Sequence, residues 1–255
     1  MKLLEEKVAV VTGGSSGNGR AIALAFARHG AKLVIADITE EPREGGQTTI
    51  ALVRDEIGGT AEFIRCDVTN PDDLEAAVDR AEALGGIDIM MNNAGILLKG
   101  SILDVTPADL TRTIAVNVKG TFYGAQAAAR RMVERKSGAI INMASIAALR
   151  GTGGYAAYNL SKSAVRMLTS SLADELGPHG IRVNAVCPGI INTEMNIVDD
   201  PVIGTEDGES YLPLIPARRW GEASEVADVC VFLASDMASY VYGASIVADG
   251  GYIRF

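Results

Sequence analysis

Cysteine, histidine and tryptophan are scarce in this 255-residue chain, at three, two and one. Cys66, Cys187 and Cys230 are widely separated and form no CxxC pair, so neither a disulfide framework nor a zinc site is expected, and no metal is assigned. A sparse, odd set of thiols fits a reducing compartment. His29 and His179 each precede a glycine at an expected helix end, where an imidazole meets the helix dipole. That placement gives no support to a Ser–His–Asp hydrolase. Basic charge is also short, 23 Lys and Arg against 32 Asp and Glu, for a net charge of −9. Such a surface makes nucleic acid and anionic membranes poor partners. The opening apolar stretch, Val8–Val11, is too short for a signal peptide or a membrane span, so the expected location is cytoplasmic.

Apolar residues make up 48% of the chain, enough for one sizeable core. Short apolar runs alternate with segments of helical period. Val8–Thr12, Leu33–Asp37, Glu62–Cys66, Ile87–Met91, Ala139–Met143, Arg182–Val186 and Ala244–Ala248 read as strands, nearly continuous in apolar residues as strands covered on both faces are. Helices are expected at about 18–29, 43–57, 71–84, 107–135, 156–178 and 222–235. Pro71 and Pro107 fall near helix starts, and Gly30 and Gly180 follow helix ends. This alternation predicts an α/β fold: a doubly wound, mostly parallel seven-stranded sheet with helices on both faces, in a single domain over 1–255. The stretch from about 192 to 218 is the least regular and is expected to be a substrate lid.

After the first strand comes Thr12-Gly13-Gly14-Ser15-Ser16-Gly17-Asn18-Gly19, and then a helix. Glycines let a backbone approach a pyrophosphate, and the free N–H groups of the helix start face the anion. Ser15 and Ser16 add hydroxyl donors. The second strand ends in Asp37, followed by Ile38. An acidic side chain there accepts from adenosine ribose hydroxyls and repels a 2′-phosphate, which points to NAD. Arg43 is the one cation placed to rescue NADP binding.

Tyr158 and Lys162 are four apart in a helical segment and share a face. Ser145 lies just beyond the end of a strand, where open parallel sheets bind ligands. Reducing a ketone by hydride needs a proton donor for the alkoxide, and oxidising an alcohol needs a base. A free phenol titrates near pH 10, and an ammonium about 4 Å away is enough to lower it by two to three units. Tyr155, followed four residues on by uncharged Asn159, lacks that help and reads as a packing or pocket residue.

The Gly-x-x-x-Gly-x-Gly turn, Asn92-Asn93-Ala94-Gly95, Ser145 and Tyr158-x-x-x-Lys162 together resemble the short-chain dehydrogenase/reductase family, and the match spans nearly the whole chain. Asp67-Val68, Asn117, Pro188-Gly189 with Thr193, and Asp249-Gly250-Gly251 continue it in order, while Asn18 departs from the apolar residue often found there. The resemblance implies Tyr158 as general acid/base, with Ser145 holding the substrate oxygen. It implies that Lys162 lowers the tyrosine pKa and binds the nicotinamide ribose, and that Asn117 supports Lys162 through water. Asp67 and Val68 would contact adenine, Asn93, Ala94 and Gly95 the adenosine side, and Ile191 and Thr193 the carboxamide. It also implies a homotetramer.

Ile96, Ile146, Leu149, Tyr155 and Met195 fall beside the elements that should form the pocket. As a set they favour a largely apolar secondary alcohol or ketone as the small-molecule substrate. Reduction of 3-oxoacyl groups on acyl carrier protein is the nearest rival, and Arg130, Arg131, Arg135 and Lys136 would be its docking patch. A sugar or polyol dehydrogenase and a catalytically dead NADH-sensing module are the other readings.

Overall fold

The computed structural model describes residues 2–253. Five residues of β1 (Val8–Thr12) show how the sheet is built. Ala9 and Val11 enter one apolar cluster, with Ile22 and Phe26. Val8 and Val10 enter the other, with Leu74, Val78 and Met132. A strand that is apolar on both sides of its pleat has to be covered on both faces. Helices α1 (Gly17–Arg28) and α8 (Ala223–Ala234) supply the first layer, and α3 (Pro71–Ala83), α5 (Gly120–Arg135) and α6 (Ala156–Leu176) the second.

The other sheet strands are β2 (Lys32–Asp37), β3 (Ala61–Arg65), β4 (Ile89–Asn92), β5 (Gly138–Met143), β6 (Ile181–Pro188) and β9 (Ser245–Ala248). All pair in parallel, in the order β3-β2-β1-β4-β5-β6-β9. The expected seven-stranded parallel sheet is therefore present, with strand limits shifted by a residue or two. A two-residue pairing of β7 (Ile191–Asn192) with β8 (Gly221–Glu222) lies apart from it. The winding direction reverses between β1 and β4, so a crevice opens at their C-terminal ends.

Three local differences matter. The helix expected at 43–57 starts only at Thr49, as α2 (Thr49–Ala51) running into a π-helical turn over Leu52–Ile57. Pro42 precedes Gly45 and Gly46 at φ +75° and +82°, and Thr48 caps the helix through Ala51 N–H. The helix expected over 107–135 is α4 (Pro107–Ile114) joined to α5 through a π-helical turn, Ala115–Lys119. Its start is a reciprocal cap of Thr106 and Asp109 with Pro107 at the first position. The stretch 192–218 is less irregular than expected, holding a π turn at Met195–Asp199, the short α7 (Glu206–Glu209) and a 3₁₀ turn at Leu212–Leu214.

Candidate active site

A cleft of about 700 Å³ lies along the crevice. Its β1 side begins at Gly13, whose φ of +64° suits glycine. A Cβ on Gly19 would lie 2.0 Å from Gly13 O, so helix α1 meets the turn only because residue 19 has no side chain. Asn93 braces the same turn from β4. Its Nδ2 donates to Thr12 O at 3.0 Å and Gly13 O at 3.2 Å, while Thr12 Oγ1 accepts from the N–H groups of Asn93 and Ala94.

The turn is fit to hold a pyrophosphate. Gly17 N–H at the start of α1 already donates to the Glu44 carboxylate at 3.1 Å, an anion on a donor that a phosphate would use. Ser16 and Asn18 line the cleft, but Ser15 does not. Ser15 is buried, with its hydroxyl donating to Thr39 O at 2.7 Å, so it shapes the loop after β2 rather than offering a donor to the cleft. Asp37 and Ile38 line the cleft, with Asp37 accepting from the N–H groups of Ser15 at 3.0 Å and Ile38 at 2.8 Å. Arg43 also lines the cleft, and its guanidinium forms a two-pronged pair with Asp199 at 2.8 and 2.7 Å.

Asp67, Val68, Ala94, Gly95, Pro188, Gly189, Ile191 and Thr193 also reach the cleft. At its centre, Tyr158, Ser145 and Lys162 come together as expected, each nearly closed to solvent. Ser145 follows β5 in extended backbone and caps a 3₁₀ turn, Ile146–Ala148, by accepting from Ala147 N–H at 3.1 Å. Burial pushes the Tyr158 phenol up to about 12, and a hydrogen bond with the Ser145 side chain pulls the other way. Lys162 has a main-chain partner of its own. Its Nζ donates to Met143 O at 2.8 Å, lies 5.7 Å from the centre of the Tyr158 ring, and is itself driven down to about 8 by burial. Burial favours the neutral form of the phenol, which is a proton donor.

Asn117 stands behind the cleft wall, fully buried in the π turn that joins α4 to α5. Asn117 Oδ1 accepts from Ile96 N–H at 2.8 Å, and its Nδ2 donates to Ile96 O and Ser161 Oγ, each at 2.9 Å. A Cβ on Gly95 would lie 3.2 Å from Asn117 Oδ1 and 3.3 Å from Lys162 Nζ, so the two flank that glycine.

Of the expected pocket residues, Ile96, Ile146, Tyr155 and Met195 line the cleft. Leu149 does not; it packs with Ala144, Val165, Ala185 and Cys187 in a small core. Sequence reasoning missed Asp200, which is 3% exposed. It accepts from the Tyr155 hydroxyl in a short hydrogen bond and from Lys99 Nζ at 2.9 Å. Its neighbour Asp199 is also paired, with Arg43, so both acids turn to partners. Among the described residues no group of three or more His, Cys, Asp or Glu could hold a metal, and no helix is long and apolar enough to cross a membrane.

Residues 13–253 match the family model described as Enoyl-(Acyl carrier protein) reductase. The chain is 41% identical over 251 residues to an L-rhamnose 1-dehydrogenase (NAD(P)(+)) of Azotobacter vinelandii, covering 98% of this chain and 97% of that enzyme. It is 40% identical over 249 residues to a 3-alpha-(or 20-beta)-hydroxysteroid dehydrogenase of Mycobacterium tuberculosis, covering 97% and 89%. A solved short-chain type dehydrogenase/reductase from Mycobacterium marinum superposes with a TM-score of 0.87 at 40% identity, over 98% of this chain and 96% of that one. Likeness of this extent, in sequence and in fold, makes the chain a member of the short-chain dehydrogenase/reductase family and a nicotinamide-dependent oxidoreductase.

Proposed function

We propose that the protein is an NAD-dependent oxidoreductase that interconverts a secondary alcohol, largely apolar in its body, and the corresponding ketone, with Tyr158 as acid/base. The observation that carries this reading is the meeting of the Tyr158 phenol, the Ser145 hydroxyl and the Lys162 amine at the switch-point cleft, each nearly closed to solvent. In reduction, Tyr158 Oη gives its proton to the substrate oxygen, which the Ser145 hydroxyl holds in place. In oxidation the same oxygen takes the proton back. The cofactor, when bound, supplies or accepts the hydride. Gly13, Ser16, Gly17, Asn18 and Gly19 form its pyrophosphate seat, while Asp67, Val68, Asn93, Ala94 and Gly95 take the adenosine side. Lys162 holds the nicotinamide ribose and Ile191 and Thr193 the carboxamide, next to Pro188 and Gly189. Asn117 supports Lys162 through water. Ile96, Ile146 and Met195 carry the apolar part of the substrate, and the segment 192–218 covers it as a lid.

NAD is favoured over NADP because Asp37 faces the cleft and Arg43 is neutralised by Asp199. An unscreened charge pair about 4 Å apart costs roughly 4 kcal/mol at an effective dielectric near 20, and partial exposure reduces this to on the order of 1–2 kcal/mol. The expected result is a kcat/KM for NAD at least tenfold above that for NADP in an oxidation screen of secondary alcohols, cyclic alcohols, sugars and hydroxysteroids. Asp37→Ser should narrow the ratio. A wild-type preference for NADP would contradict the assignment, and cofactor binding without turnover on any substrate would favour a sensing module.

Reduction of carrier-bound acyl groups is disfavoured by the arginines expected to dock the carrier. Arg130 pairs with Glu75 at 2.6 Å, Arg131 with Asp79 at 2.9 Å and Arg135 with Glu82 at 2.8 Å, so the patch is largely neutralised. The sugar or polyol reading gains from the buried Asp200 in the pocket wall. Phe122, Leu160 and Met167 are 43%, 54% and 64% exposed on α5 and α6. We place the homotetramer contact on this face, which light scattering should report as four chains of 26.7 kDa. The three buried, free thiols fit a cytoplasmic setting.

A further inference from the structure

The pocket wall also carries a polar group made of three side chains far apart in sequence. Tyr155 stands just before α6, one helical turn ahead of Tyr158, and its hydroxyl donates to Asp200 Oδ2. Asp200 follows the π turn at Met195–Asp199 and its Oδ1 accepts from Lys99 Nζ at 2.9 Å. Tyr155 and Asp200 line the cleft, whereas Lys99, its side chain 55% exposed, backs the carboxylate from outside.

Hydrogen-bond inventory decides what this wall can recognise. An ionised carboxylate is acceptor-only, with about four lone-pair positions, of which two are used here. Tyr155 has committed its single proton to Asp200, so its oxygen can only accept as well. Desolvation and the neighbouring carboxylate hold that phenol up to about 12, which keeps the proton in place at neutral pH. Lys99 balances the charge of Asp200 without presenting a donor to the cavity. These three side chains therefore offer the cleft lone pairs and no protons.

We propose that Tyr155, Asp200 and Lys99 form an acceptor-only anchor that selects secondary alcohols carrying a second hydroxyl, so that the substrate is a diol or polyol with an apolar remainder. This rests on the alcohol oxidoreductase reading above and narrows its substrate class. A hydroxyl donates to the anchor, while a carboxylate, a phosphate or an ester carbonyl brings only further lone pairs. A site built to hydrogen-bond a hydroxyl rejects the analogue without it more strongly than an apolar wall rejects an extra group.

The test compares cyclohexanol, the cyclohexane-1,2-diols and -1,3-diols, and 2-hydroxycyclohexanecarboxylate with the wild type, Asp200→Asn and Tyr155→Phe. The quantity read is the ratio of kcat/KM for the best diol to that for cyclohexanol. Diol binding to the enzyme–NADH complex, followed by nicotinamide fluorescence, is a second readout. The wild-type ratio is expected to be at least tenfold and to fall towards unity in both variants, with weakened diol binding. A purely structural role would lower both substrates together and leave the ratio unchanged, which overturns the proposal. A preference for the hydroxy acid overturns it too, and would direct attention to Arg112 and Arg150, which also line the cleft. If no alcohol turns over but diol binding depends on Asp200, the anchor stands and the oxidoreductase reading falls. If alcohols turn over and Asp200→Asn changes neither ratio nor binding, the anchor falls alone.

Discussion

Lys162 is an amine held 4% exposed, with a main-chain carbonyl from β5 as its hydrogen-bond acceptor. Burial lowers its pKa to about 8, whereas in the unfolded chain it titrates near 10.4. Between these values the unfolded chain binds the extra proton, so stability rises with pH through that window. Below about pH 8 the cost of keeping the ammonium is present in full, and above about pH 10.5 it is gone. Lys162→Met is therefore expected to abolish turnover and yet stabilise the fold at pH 7, by on the order of 1–3 kcal/mol. Calorimetry at pH 7 and pH 10 checks this: the gain in Tm should shrink as pH rises. A gain independent of pH would contradict burial as the cause. Tyr158 and Lys162 were legible from their four-residue spacing, but their protonation was not. Spacing fixes which face two side chains share; burial, which sets the pKa of each, depends on strands β5 and β6 far away in sequence.

At the scale of elements, the first turn and helix α1 depend on a close approach that only glycine allows. A Cβ at position 19 would meet Gly13 O at 2.0 Å and Gly13 C at 2.7 Å, both main-chain atoms that cannot swing aside. Gly19→Ala should cost about 2–3 kcal/mol and weaken NADH binding at least tenfold, as measured by thermal melting and fluorescence titration. Binding within twofold of wild type would show that the cofactor does not sit on this turn. Strands were legible because burial on both faces leaves near-continuous apolar runs. Helix interiors were less so. The π turn carrying Asn117 leaves no mark in residue type, and the late start of α2 reflects the positive φ of Gly45 and Gly46, which composition alone does not locate.

For the whole molecule, the cleft gathers residues from β2, β5, β6, β7 and α6, from the turns that follow β1, β3 and β4, and from the segment after β7. Motif spacing singled out the Gly13–Gly19 turn and the Ser145–Tyr158–Lys162 group, since each lies at a strand end or on one helix face. The contacts that cross between segments were hidden. Arg43 and Asp199 are 156 residues apart, and Tyr155 and Asp200 are 45 apart, so no local pattern pairs them. The most direct measurement is the turnover of Tyr158→Phe beside its NADH affinity. With Tyr158 as the proton carrier, kcat should fall by about 10²–10⁴-fold, the range for loss of a positioned acid/base, while NADH binding persists. A variant that keeps turnover within tenfold of wild type would contradict the account, because the proton would then travel by another group.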